Sequence, residues 1–188
     1  MKHTVVRTKD IVLIALFAAL MAALALFPPI TIPALGVPIT AQSMGVMLSG
    51  AILGAKRGGL SILLFLLLVA IGLPLLSGGR GGLGVFFGPT AGFMFGWVLG
   101  AVLIGYLHER AWATIEPFKS FLYCFLGGIV VVYAIGIPWA SVNTGVSLVK
   151  VAVGSLAFIP GDMLKAGLTA LAVVAIRKAF PAMHQPAA

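Results

Sequence analysis

Charge is what this chain lacks. Only 9% of its 188 residues are Asp, Glu, Lys or Arg, and just four of them are acids. A water-soluble domain carries about 25% charged residues to cover its surface. With 61% hydrophobic residues, a chain this short has no interior large enough to hide them. This is the composition of an integral membrane protein. The single cysteine, Cys124, excludes an internal disulfide and reads as a small buried or lipid-facing residue. The acids Asp10, Glu109, Glu116 and Asp162 and the histidines His3, His108 and His184 make no metal-binding pair on a helix. They also make no Ser-His-Asp or Cys-His set on one membrane face. An enzyme is not expected, nor a metal or cofactor. The P-loop spelling G-x-x-x-x-G-K-[ST] is missing, so ATP would have to act through a partner. Gly79 to Gly84 spells G-x-G-x-x-G, but it joins two apolar runs where a dinucleotide site needs a strand before and a helix after.

What is present is a series of apolar runs. A bilayer-crossing helix needs about 20 such residues, with a range of roughly 17–25. The sequence predicts one membrane domain over 1–188, all-α, with six spans at about 11–27, 41–55, 60–76, 89–107, 121–137 and 160–176. A short interfacial helix is expected over about 142–158, ending before Pro160. The net charge of +8 is set by topology, not by nucleic acid. With the N-terminus inside, nine basic residues lie inside: Lys2, Arg7, Lys9, Lys56, Arg57, Arg110, Lys119, Arg177 and Lys178. Arg80 and Lys150 lie outside and Lys165 within the last span, so both termini are expected in the cytoplasm. Ala23-Leu24-Ala25 resembles a signal-peptide cleavage site, but the run before it is long for one and the rest of the chain is as apolar.

Small residues at intervals of four let helices approach closely in lipid. Gly84, Gly88, Gly92, Gly96 and Gly100 form one such ladder, and Gly50, Gly54 and Gly58 another. Packing within the chain is the expected use, ahead of dimerisation. Ala15, Ala19 and Ala23, with Ala18 and Ala22 beside them, give the first span a flat face for a helix of this chain or of a partner.

The polar residues left over cluster on the expected outer side. Asp162 and Lys165 are three apart and share a helix face. Charges inside a membrane default to a functional reading, although an acid just after Pro160 also suits a helix start. Arg80 stands among glycines, fit for a ligand carboxylate or for lipid headgroups. Thr40, Gln42 and Ser43 follow an uncharged loop, Pro28 to Pro38, in which Thr31-Ile32 and Val37-Pro38-Ile39 flank Gly36 as in a hairpin lid; Thr40 would equally serve as a helix cap. Asn143, the only asparagine, is a candidate contact or a turn residue. Phe86, Phe87, Phe93, Trp97 and Trp139 are candidate walls or interface anchors. Together these groups suit a small, mostly apolar ligand with hydrogen-bonding ends and a negative charge.

Three segments resemble motifs of the BioY family: Gly78 to Gly92, Pro38-Ile39-Thr40-Ala41-Gln42, and Phe158 to Lys165. The similarity runs over essentially the whole chain. It implies the biotin-binding S component of an energy-coupling-factor (ECF) transporter, multi-pass in the prokaryotic cell (inner) membrane, with an outward-open pocket closed by the loop after the first span. It also implies partners, a transmembrane coupling protein and cytoplasmic ATPases, docking on the alanine face of the first span. Carried onto this sequence, Asp162 would accept from a ureido N–H of biotin and Lys165 would donate to its carbonyl or tail. Arg80, Gln42 and Asn143 complete the expected substrate-binding set. A solitary or self-associating biotin transporter, or a secondary carrier for another small carboxylate vitamin, is the competing reading.

Overall fold

The protein, described here by a computed structural model over residues 8–31 and 38–181, is a bundle of helices with a two-residue antiparallel ladder on one end. Among the described residues, four helical stretches are long and apolar enough to cross a membrane: Gln42–Ala70, Ala91–Thr114, Pro117–Thr144 and Leu148–Ala179. Before them stands α1, Thr8–Leu24, which packs chiefly on α2. Strands β1, Ile30–Thr31, and β2, Pro38–Ile39, pair Ile30 with Ile39 and Thr31 with Pro38. The tip of that expected lid, 32–37, lies outside the described residues, as do His3 and His184.

Helix α2, Gln42–Ala70, is bent double. Gly54 has φ 84° and ψ 179°, a conformation open to glycine and closed to side chains bearing Cβ. A Cβ placed on Gly58 would stand 2.9 Å from the Cα of Gly50. In a straight helix, residues eight apart are about 12 Å apart. The arm 55–70 therefore runs back along the arm 42–53. Glu109 from the next helix reaches this elbow, accepting the Ala55 N–H at 3.2 Å and placing a carboxylate at the positive end of the second arm.

A 3-10 turn at Leu83–Phe87 leads to α3, Ala91–Ala111. Next come α4, Pro117–Phe125, a π-helical segment Leu126–Val131, and α5, Val132–Thr144. The helix runs on through Pro138, where the fifth apolar run was expected to stop at Ile137. It closes instead at Gly145, φ 71°, whose N–H bonds to Ser141 O at 3.0 Å. The helix expected over 142–158 is accordingly divided. Residues 142–144 finish α5, and Leu148–Ser155 form α6, which passes through the turn Leu156–Phe158 into α7, Ile159–Ala179.

Of the two glycine ladders, the one on α3 packs within the chain. Gly92 lies against Trp139, a Cβ on Gly96 would come within 2.9 Å of the Val132 backbone, and Gly100 faces Gly127. Gly84 and Gly88 precede the helix and take no part in it. The second ladder is not one helix face, because Gly54 is the elbow between Gly50 and Gly58.

Candidate ligand site

Asp162 is where the polar residues converge. Pro160 opens the first turn of α7, yet the backbone is already helical through Leu156 and Ile159, so Asp162 does not cap a free helix end. Its carboxylate reaches other elements. Oδ1 accepts from Lys165 Nζ at 2.8 Å and from Ser43 Oγ at 3.0 Å, and Oδ2 accepts from the Tyr133 hydroxyl at 2.6 Å. Lys165 places its other two protons on Thr40 O at 2.6 Å and Ser43 Oγ at 2.9 Å. The two side chains are only 8% and 15% exposed, so this pair is held together in a medium where charge and hydrogen bonds count strongly.

Tyr133 was not singled out from the sequence, where it reads as one more aromatic in an apolar span. A buried phenol needs a partner, and that requirement is the signal that was available. Its aim depends on the π-helical segment before it, since one residue fewer there would turn Tyr133 by about 100°. Phe93 then holds the ring edge-on, with centroids 6.0 Å apart, while Gly136 leaves room for the Phe93 ring.

Beside the cluster is a narrow cavity of about 70 Å3, open on one side and smaller than the roughly 300–1,000 Å3 of an occupied small-molecule site, so a ligand enters it only as its walls part. Leu76, Phe93, Met94, Trp97, Val132 and Phe158 supply apolar wall, with Thr90, Gly128 and Tyr133. Arg80 also lines it. The loop carrying it is a tight hairpin in which Leu76 and Arg80 exchange backbone hydrogen bonds of 3.0 and 3.2 Å, and Gly78 and Gly79 both have positive φ. Nε of Arg80 donates to Ser77 O at 3.3 Å, and its terminal nitrogens have no partner among the described residues. Burial lowers the pKa of this guanidinium, because desolvation works against a charge with no counter-ion. An anion in the cavity would relieve that.

Gln42 meets the cavity wall, but its amide is already engaged. Nε2 donates to Met21 O and Leu75 O, each at 3.1 Å, and Oε1 accepts from the Ser77 N–H at 3.0 Å and the Ser77 hydroxyl at 3.2 Å. Both donors and both acceptor positions are filled by the protein, which makes Gln42 a scaffold residue. Asn143 is elsewhere. It donates to Phe87 O at 2.6 Å beside the Trp139 bond to Gly88 O at 3.0 Å, tying the 83–87 turn to α5 and lining a separate apolar groove. Phe87 and Trp139 belong to that groove, Phe86 packs against the core, and only Phe93 and Trp97 of the expected aromatics wall the cavity.

The alanine face of α1 divides in the same way. Ala15, Ala19 and Ala23 are exposed, whereas Ala18 is buried and Ala22 packs against the core. Ala18 thus holds α1 to the bundle, and Ala22 is half-buried beside it. Among the described residues, no group of three or more His, Cys, Asp or Glu could hold a metal ion.

Comparison with known proteins is decisive on ancestry, since the BioY family matches residues 1–182. The chain belongs to the BioY family. A biotin transporter BioY from Rhizobium etli is 51% identical over 179 residues, spanning 93% of this chain and 96% of that protein. Its Rhodobacter capsulatus counterpart, also a biotin transporter BioY, is 45% identical over 190 residues, spanning 92% and 95%. Among solved structures, the S-component for biotin from an ECF-type ABC transporter superposes with a TM-score of 0.87 at 35% identity, over 90% of this chain and 91% of that one. With four helical stretches long and apolar enough to cross a membrane among the described residues, the chain is a multi-pass membrane protein.

Proposed function

We propose that this chain is the biotin-binding S component of an ECF-type transporter in the prokaryotic cell (inner) membrane, a transport subunit and not an enzyme. The observation that carries the reading is the Asp162–Lys165–Ser43–Tyr133 cluster, beside an apolar cavity that Arg80 also lines. Biotin has matching chemistry. Its ureido N–H groups suit the remaining lone pairs of Asp162 and the Tyr133 oxygen, and its thiophane and chain suit the aromatic wall. Its carboxylate suits Arg80, which supplies unengaged donors in bidentate array.

Six crossings follow if each arm of α2 counts as one, with α1, α3, the α4–α5 helix and α7 as the others. The first arm has 12 residues, about 18 Å, so its outer start at Gln42 and Ser43 would sit below the outer membrane surface. Both termini lie in the cytoplasm in this reading, supported by the basic bias of the inner segments. The exposed stripe Ala15, Ala19 and Ala23 is the docking face for a transmembrane coupling protein, whose ATPases supply the energy.

Calorimetric titration of the detergent-solubilised protein with biotin, with thiamine and riboflavin as controls, tests the ligand. One-to-one binding of biotin alone is expected. Absence of heat with biotin overturns the reading.

A further inference from the structure

Helix α1 carries the exposed alanine stripe, yet it packs chiefly on α2 and none of its residues lines the cavity. Near its outer end one carbonyl is left over. The Ala25 N–H bonds to Ala22 O, so Met21 O is among the acceptors that a helix end leaves without an intrahelical donor. Gln42 fills that vacancy from another helix, and the same amide holds the Arg80 loop through Leu75 and Ser77. Gln42 and Ser77 are each 1% exposed, so water does not compete for these bonds.

We propose that Gln42 is a positioning residue that couples the Arg80 loop to α1. Arg80 Nε donates to Ser77 O at 3.3 Å, Ser77 N–H donates to Gln42 Oε1 at 3.0 Å, and Gln42 Nε2 donates to Met21 O at 3.1 Å. The bonds run in one direction from the cavity to the docking helix, and the Gln42 amide, which accepts at Oε1 and donates from Nε2, is the one link in which accepting one bond polarises the next. An anion engaging the Arg80 guanidinium tightens the loop, and the buried amide passes that restraint to the end of α1. This rests on the ligand reading above, with biotin as the anion.

Two variants separate the two halves of the tie. Gln42→Met keeps the length of the side chain and removes all four bonds. Gln42→Glu keeps acceptors for Ser77 but sets carboxylate oxygen against the carbonyls of Met21 and Leu75. Backbone amide exchange in the ligand-free protein is the first readout. Exchange in the outer turn of α1, residues 21–26, is expected to rise about tenfold in both variants. The Ser77 amide is expected to loosen only in Gln42→Met, and α3 and α5 are expected to stay protected in both. Loosening of α3 and α5 in step with α1, or no change in α1 in either variant, overturns the proposal. The second readout adds biotin. Slower exchange of the α1 turn is expected in wild type and not in Gln42→Met, each compared at a biotin concentration that saturates it, weaker binding by the variant being expected because its Arg80 loop is no longer held. Equal slowing in both, or none in a wild type that binds biotin, also overturns it. Failure of wild type to bind biotin would overturn the ligand reading alone, because the ligand-free comparison still decides the tie.

Discussion

Tyr133 donates its hydroxyl to Asp162 at 2.6 Å, on the carboxylate oxygen that Lys165 does not use. The acid thus works in two directions, neutralising a buried cation with one oxygen and orienting a phenol with the other. Tyr133→Phe keeps the ring against Phe93 and removes only the donor. Biotin affinity is expected to fall by about 1–2 kcal/mol, with a loss of stability of about 1–3 kcal/mol because Asp162 Oδ2 is left without its donor. Calorimetry and a melting curve check both, and wild-type affinity in the variant would remove Tyr133 from the site.

Removing the charge itself should be more severe. In Asp162→Asn the Lys165 ammonium keeps its burial and loses its counter-ion, which is expected to weaken biotin binding by about 2–4 kcal/mol and to lower stability as well. Adding Lys165→Met to that variant is expected to recover stability without recovering binding. A double variant that binds biotin normally would show the pair to be structural only.

The pair was legible because charge in a hydrophobic run is expensive and therefore conspicuous. Tyr133, half apolar, gave no such contrast. Gln42 was found as a polar residue near the site, but its work depends on Met21 and Ser77, which lie 21 and 35 residues away in sequence and meet only through folding. Pro138 misled for a related reason. In lipid an unwound backbone has no water to turn to, so the helix continues past a proline that would end it in a soluble loop. Likewise the even spacing of Gly50, Gly54 and Gly58 concealed an elbow, because a period of four carries no information about a positive φ.

Arg80 is expected to read the ligand's charge. Arg80→Gln should weaken biotin by about 1.5–3 kcal/mol, the range of a hydrogen bond to a charged group, while biotinamide, which lacks the carboxylate charge, should lose much less. Competition of the acid and the amide against labelled biotin measures this. If Arg80→Gln preserves the wild-type preference for the acid, the guanidinium does not meet the carboxylate.

The exposed and buried alanines of α1 are one residue apart and should behave oppositely. Ala18 is 3% exposed against the core, so Ala18→Trp forces an indole into a packed interior and is expected to destabilise the bundle by about 1–3 kcal/mol or more. Ala19 faces outward, and Ala19→Trp is expected to leave the melting temperature and biotin binding near wild type while abolishing biotin uptake in cells, because the indole would hold a partner helix away from a surface built for close approach. Measuring melting, binding and uptake on both variants distinguishes the roles. Full uptake by Ala19→Trp would move the docking face off this stripe, and a stable Ala18→Trp would mean that α1 is not seated on α2 through Ala18.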